Sequence, residues 1–275
     1  MAINLDRSLF VLEYLAARPE GQPLATIADE LCIPRSACHR LLTDLVRCGW
    51  VRQMREYGDY ALTTKLAALG LNYLSGSGIV DIAQPLIDRM AELSGELVRL
   101  AILDGERLTF VAKAQGARGG LRYDPDTGTD VRLSCSSAGH AWLSTLPEDQ
   151  ALQIVARQGF GSREQFGPNA PLTVKELAQI LQDTRQRGFS MINEMFAPGM
   201  TAMGAPIQRP GEAAIGVVTI AGPLIRLTEA RMQQLGPALM AMAAELALAS
   251  TSSPIFIRHR AAGDAAAKAT PPVLT

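Results

Sequence analysis

Two proline-bearing breaks, Pro19-Glu20-Gly21-Gln22-Pro23 and Ile33-Pro34, cut the first fifty residues into segments too short for a long helix. Each segment still carries apolar residues at helical spacing, so the chain must begin as a cluster of short helices that each bury one face. The first is read with Asn4 as its cap, Asp6 in its first turn, and Leu5, Leu9, Leu12, Leu15 and Ala16 as its stripe. Leu24, Ile27, Ala28 and Leu31 form a second helix of about two turns. A third opens at Pro34, repeats the spacing with Cys38, Leu41, Leu42 and Leu45, and stops at Gly49. Residues 50–64 then alternate loosely, with Gly58-Asp59 as the expected hairpin turn. Short helices joined by a tight turn and followed by a hairpin describe a winged helix-turn-helix, assigned to residues 1–64.

Residues 65–74 read as a helix leading to Ser75-Gly76-Ser77-Gly78, so 65–78 is expected to be a linker helix and hinge. A new helix runs from Asp81, as cap, to Ser94. Segments 97–103 and 108–114 flank Asp104-Gly105 and predict a hairpin. Residues 138–145, 148–157 and 173–187 read as helices, the last with Thr173 and Glu176 in capping-box spacing. Residues 202–207 and 213–221 read as buried strands, and 228–249 as a long closing helix. The fold class is therefore α+β, with the second domain over 79–249. Residues 250–275, rich in Ala, Pro, Ser and Thr, read as a frayed tail.

Net charge decides little globally and much locally. The chain carries 26 Lys+Arg against 27 Asp+Glu, so no overall field draws it to nucleic acid or anionic lipid. Within 34–55, however, Arg35, Arg40, Arg47, Arg52 and Arg55 face only Asp44. On the third helix Ser36, His39, Arg40, Thr43 and Arg47 lie opposite the apolar stripe, where a recognition helix meets the major groove. With Arg35, Arg52 and Arg55 they form the expected DNA-reading set. A solvated helix face, or a module that pairs with protein and leaves the chain a small-molecule binder, is the alternative.

With 48% hydrophobic residues the chain can bury a sizeable core. Its longest uncharged apolar stretch, residues 213–225, is too short to span a bilayer. Asp6, Arg7 and Glu13 stand where a signal peptide needs its apolar core, and the four cysteines read as reduced thiols. A cytoplasmic location is expected.

Several motifs together make the sequence resemble the IclR family of bacterial transcriptional regulators. They are Asn4-Leu5-Asp6-Arg7-Ser8-Leu9, Ile27-Ala28 before Ile33-Pro34-Arg35-Ser36, and Arg40-Leu41-Leu42 running to Leu45 and Gly49. Further along come Ser134-Cys135-Ser136-Ser137-Ala138-Gly139-His140-Ala141, Arg187-Gly188-Phe189 and Ile220-Ala221-Gly222-Pro223. The resemblance covers roughly residues 4–249. It implies an operator-binding homodimer or tetramer on a palindrome and a GAF-like antiparallel-sheet effector domain. It places the effector pocket at Ser137, Ala138, Ile192, Ala202, Thr219 and Ala221. The small residues 136–139 at a helix start also suit an anion by themselves, through free backbone N–H groups and the helix dipole. His140 stands where relatives commonly carry Lys, and any charge it brings is expected to titrate near neutral pH.

Some relatives carry an acidic side chain and a thiol where this chain has Ile192 and Ala202, and a serine where it has Ala221. Thr219 keeps a hydroxyl. Met191, Met195, Met200 and Met203 crowd the same region and offer adaptable apolar contacts. The expected effector is thus a carboxylate with an apolar or aromatic body.

Catalysis is not expected. Cys135 and His140 are five residues apart beside a helix start, which could lower a thiol pKa. No nucleophile elbow, P-loop or dinucleotide fingerprint accompanies them. No cofactor or metal site is expected, and Cys32, Cys38 and Cys48 are read as buried packing thiols.

Overall fold

A computed structural model describes residues 2–54, 58–76, 79–124 and 131–249. The chain divides into two units, Met1–Gly76 and Ser77–Thr275. In the first, α1 (Ala2–Ala16), α2 (Leu24–Glu30) and α3 (Arg35–Arg47) are followed by the two-stranded wing, β1 (Val51–Gln53) and β2 (Tyr60–Leu62), and by α4 (Lys65–Gly76). Val11, Tyr14 and Leu15 of α1 meet Ile27, Ala28, Ile33, Leu41, Leu42 and Leu45 in one core. The tight turn between α2 and α3 passes through Cys32, whose φ of 53° is unusual for a residue with a side chain. The Ile33 N–H then donates to the Ala28 carbonyl at 2.8 Å and seats Ile33 in that core.

Five expectations shift here. Asn4 lies inside α1 and does not cap it. The helix has two apolar sides, and the core takes Val11, Tyr14 and Leu15, leaving Leu5 and Leu9 63% and 49% exposed. At the wing, the Asp59 carbonyl still accepts from the Met54 N–H at 2.8 Å, so Asp59 pairs with the opposite strand and does not turn. Of the three cysteines read as packing thiols only Cys38 is buried; Cys32 and Cys48 are exposed. Ser75 and Gly76, read as the first half of the linker, belong to α4 instead.

The second unit opens with α5 (Ile79–Ser94), where Asp81 sits in the first turn and is not the cap. The hairpin β3 (Leu97–Asp104) and β4 (Arg107–Gln115) follows, its two-residue turn formed by Gly105, at φ 59°, and Glu106. Then come α6 (Ser137–Leu143), α7 (Glu148–Gln158), α8 (Val174–Arg187), β5 (Ser190–Asn193), β6 (Met200–Ile207), β7 (Gly216–Pro223) and α9 (Glu229–Ala249). The capping box of α8 forms: the Glu176 N–H donates to Thr173 Oγ1 at 3.2 Å, and the Thr173 N–H to the Glu176 carboxylate at 3.1 Å.

All neighbours in the sheet order β4-β3-β7-β6-β5 are antiparallel. Every residue of the central strand β7 is buried, so the sheet is covered on both faces. One covering layer is α5 packed with α9; on the other face α6 lies across β5, β6 and β7, with α8 beside it. Strand β5 follows Arg187-Gly188-Phe189, where the resemblance implies the pocket strand, but periodicity does not find it because four residues give too little alternation. Residues 250–275 lie outside the described residues.

Candidate functional site

The positive charge of α3 and the wing faces outward. Ser36, His39, Arg40, Thr43, Arg47 and Arg52 are all exposed, while Cys38, Leu41, Leu42 and Leu45 on the other side of α3 are buried. Arg35 and Arg47 are exposed as well, and pair with Asp29 at 3.3 Å and Asp44 at 3.2 Å. Solvated pairs of this kind are weak and readily exchange a carboxylate for a phosphate. Arg40 has no ion pair among the described residues, which leaves its planar fork available for two parallel bonds to a guanine edge. Thr43 is the least available of the set, because its hydroxyl donates back to the His39 carbonyl at 2.8 Å. Arg55 lies outside the described residues. Lys65 is a cation that the charge pattern of 34–55 does not include: Nζ donates to the Cys48 carbonyl at 2.7 Å and lies 4.6 Å from the Trp50 ring, fixing its charge at the C-terminal end of α3.

In the second unit, strand register groups the expected pocket residues. Directly opposite partners on neighbouring strands share a face. One row across the sheet therefore reads Gln115, Leu97, Ala221, Ala202 and Ile192. The next row on the same face reads Lys113, Arg99, Thr219, Gly204 and Ser190. Ile192, Ala202 and Ala221 come together with Met200 in one buried cluster, against which Tyr123, Met195, Phe196 and Ala197 pack. Met191 and Met203 are register partners in the alternate row and so face away from it. Only half of the expected methionine lining is on this face.

The start of α6 is tied to the polar row. Ser190 Oγ donates to the Ser137 carbonyl at 2.7 Å. Ala138 instead belongs to the core beneath α6, with Val217, Ala101 and Trp142. Of the donors expected to cradle an anion here, the Gly139 N–H is taken by Ser136 Oγ at 3.0 Å. A Cβ on Gly139 would lie 2.2 Å from the Leu133 carbonyl oxygen. Close packing of backbone on backbone therefore accounts for the glycine at position 139.

His140 and Cys135 differ from expectation for one reason, burial. The Ser134 carbonyl can only accept, so His140 Nε2 is the donor at 2.6 Å, and Nδ1 is buried without a partner among the described residues. Burial pulls the imidazole pKa down to about 4, so it is neutral at pH 7 and carries no charge near neutrality. Burial also pushes the Cys135 thiol up to about 12, opposite to what a nucleophile needs. Because the folded pKa of His140 lies below the ordinary 6.5, the unfolded chain takes up this proton first. Stability is therefore expected to fall as pH drops from about 6.5 towards 4, with a slope reaching about 1.4 kcal/mol per pH unit. Urea unfolding of wild type and His140→Gln across this range checks it, since the other carboxylates titrate in both. Parallel pH profiles would exclude a buried neutral His140.

Comparison with known proteins bears on both units. Residues 71–248 match the family model for the C-terminal domain of the bacterial transcriptional regulator IclR, and residues 4–55 match the IclR helix-turn-helix domain. The acetate operon repressor of Salmonella typhimurium is 30% identical over 248 residues, covering 90% of this chain and 89% of that protein. The HTH-type transcriptional regulator BhcR of Paracoccus denitrificans is 31% identical over 246 residues, 88% of this chain and 85% of that one. Among solved structures, an IclR regulator from Alicyclobacillus acidocaldarius matches with a TM-score of 0.78 at 20% identity, covering 91% of this chain and 99% of that one. An IclR homologue from Microbacterium hydrocarbonoxydans, complexed with 4-hydroxybenzoate, gives 0.75 at 19% identity over 91% and 100%. At such identities these two likenesses concern the fold.

Proposed function

The chain belongs to the IclR family of bacterial transcriptional regulators, and from that premise we propose that it reads a palindromic operator through α3 and the wing under control of a small carboxylate with an apolar or aromatic body. The outward basic face of α3 carries the DNA half of this reading. Relatives with this module are named repressors, which favours DNA over a protein partner for it. Residues 1–64 then serve as the reading head, 65–78 as the connection and 79–249 as the sensor, in the cytoplasm where operator DNA is found.

Arg40→Ala is expected to weaken operator binding by about 1–3 kcal/mol, with a smaller loss on random DNA, as removal of a base contact requires. Arg52→Ala in the wing should instead lower affinity evenly across sequences and flatten its salt dependence, as removal of a phosphate contact does. Filter binding to genomic fragments at several salt concentrations measures both. Operator affinity equal to wild type in both variants would exclude this face.

The apolar row Ile192, Ala202 and Ala221 supports the effector half. Methyl and methylene groups there suit an apolar body and give a small hydroxylated acid nothing to bond. The Microbacterium hydrocarbonoxydans protein was crystallised with an aromatic acid of this kind. A second copy of the chain is the expected partner. Two half-sites call for a symmetric dimer, and α4 buries none of its residues while exposing Leu69, Leu71 and Tyr73.

A further inference from the structure

The polar row on the pocket face of the sheet leaves one cation unaccounted for. Five residues form it: Lys113, Arg99, Thr219, Gly204 and Ser190. Lys113 Nζ is paired with the Asp124 carboxylate at 2.7 Å. The Ser190 hydroxyl is used by the Ser137 carbonyl and, at 3.3 Å, by that of Gly204. The same Asp124 carboxylate also acts on Arg99 through space, but it does not satisfy the Arg99 Nε. The Arg99 guanidinium sits over the Phe110 ring, with Cζ 3.8 Å from the ring centroid. Its Nε is buried without a hydrogen-bond partner among the described residues. A buried donor left unpaired is costly, and such a group in a native protein is commonly completed by something from outside the chain.

What surrounds Arg99 defines that missing partner. Thr219 stands directly opposite on β7, one row from Ala221. Tyr123, which packs on the Ile192 cluster, is close enough that Arg99 pulls its phenol pKa down against the raising effect of burial. Burial lowers the pKa of Arg99 itself, but an arginine stays charged at any physiological pH. A cation backed by an aromatic ring, with a hydroxyl beside it and an apolar cluster one row away, matches an anion carrying a flat apolar body.

We infer that Arg99 holds the carboxylate of the effector side-on, through Nε and a neighbouring guanidinium N–H, with the Thr219 hydroxyl beside it. This rests on the reading of this face as the effector site. It adds a side chain of the central sheet to the anion-binding role expected at the start of α6, where the Gly139 N–H is already taken by Ser136. Arg99 thereby selects a planar monocarboxylate over its neutral isosteres.

Calorimetry on the full chain tests this with 4-hydroxybenzoate, benzoate, pyruvate and the neutral 4-hydroxybenzamide as probes. Wild type is expected to prefer 4-hydroxybenzoate over the amide by about 30-fold or more. Arg99→Met should erase that preference, and Arg99→Lys should keep part of it, because a point charge replaces the fork. Arg157→Met is the control: its guanidinium pairs with Glu106 at the exposed end of the β3–β4 hairpin and should leave the preference intact. An acid-to-amide ratio unchanged in Arg99→Met and Arg99→Lys would overturn the role of Arg99 alone. Wild type binding none of the three acids would overturn the carboxylate reading, and this inference with it.

Discussion

Gly139→Ala is expected to destabilise the sensor unit by about 3 kcal/mol, although glycine to alanine within a helix ordinarily stabilises by roughly 0.5–1 kcal/mol. The added Cβ would lie 2.2 Å from the Leu133 carbonyl oxygen, 2.5 Å from its Cα and 2.7 Å from its carbonyl carbon. All three atoms are backbone, so no side chain can swing aside. Either the 131–136 segment or α6 has to move, and α6 is wholly buried and tied to the sheet through Ser137 and Ser190. Gly70→Ala supplies the contrast, since that position lies within α4 and an added methyl there would meet nothing inside 4 Å. It should raise the stability of its own unit slightly. The two tryptophans report the units separately, Trp142 on α6 and Trp50 beside the wing, so urea unfolding followed by fluorescence reads each change where it occurs. A Gly139→Ala protein with the wild-type Trp142 midpoint would mean that α6 is not packed as described.

The same segment shows what the sequence could and could not disclose. The run from Ser136 to Gly139 announces a helix start with small residues, and a helix does start there. Small residues serve close backbone approach and anion cradling equally well, and the position of Leu133 shows that close approach operates at Gly139. Periodicity finds α2, α3, α8 and α9 to within a residue or two, because caps and breakers bracket them. It misplaces the core face of α1, where two apolar stripes compete and only the neighbouring helices decide between them. In the sheet, alternation by itself cannot say which methionines share a face with Ile192. That depends on the pairing of β5 with β6, which is a long-range property. Arg99 is legible as a single charge inside the apolar run 97–103, a pattern that in a doubly covered strand calls for an explanation. What it faces becomes apparent only once β7 is known to lie beside β3.

Ile192→Asp is expected to abolish most binding of an apolar acid, by about 100-fold, equivalent to roughly 2.7 kcal/mol. Ile192 is 2% exposed and sits in the cluster with Met200, Ala202 and Ala221. A carboxylate there removes the apolar contact and sets an unpaired, desolvated charge against the ligand's body. Because burial favours the neutral acid, the introduced carboxyl should titrate above the ordinary range, so acidifying the buffer should restore part of the lost affinity. Ile192→Asn separates charge from polarity: it should lose less affinity and recover none of it on acidification. Calorimetry with 4-hydroxybenzoate, pyruvate and glyoxylate, each at two pH values, carries the comparison, and thermal unfolding checks that the variants are folded. In the aspartate variant the preference should also move towards the small oxoacids, since it regains a polar group beside Ala202 and Ala221. Tighter binding of pyruvate or glyoxylate than of the aromatic acid by wild type would show the apolar row to be plain core. Unchanged aromatic affinity in Ile192→Asp would place the ligand's body away from β5.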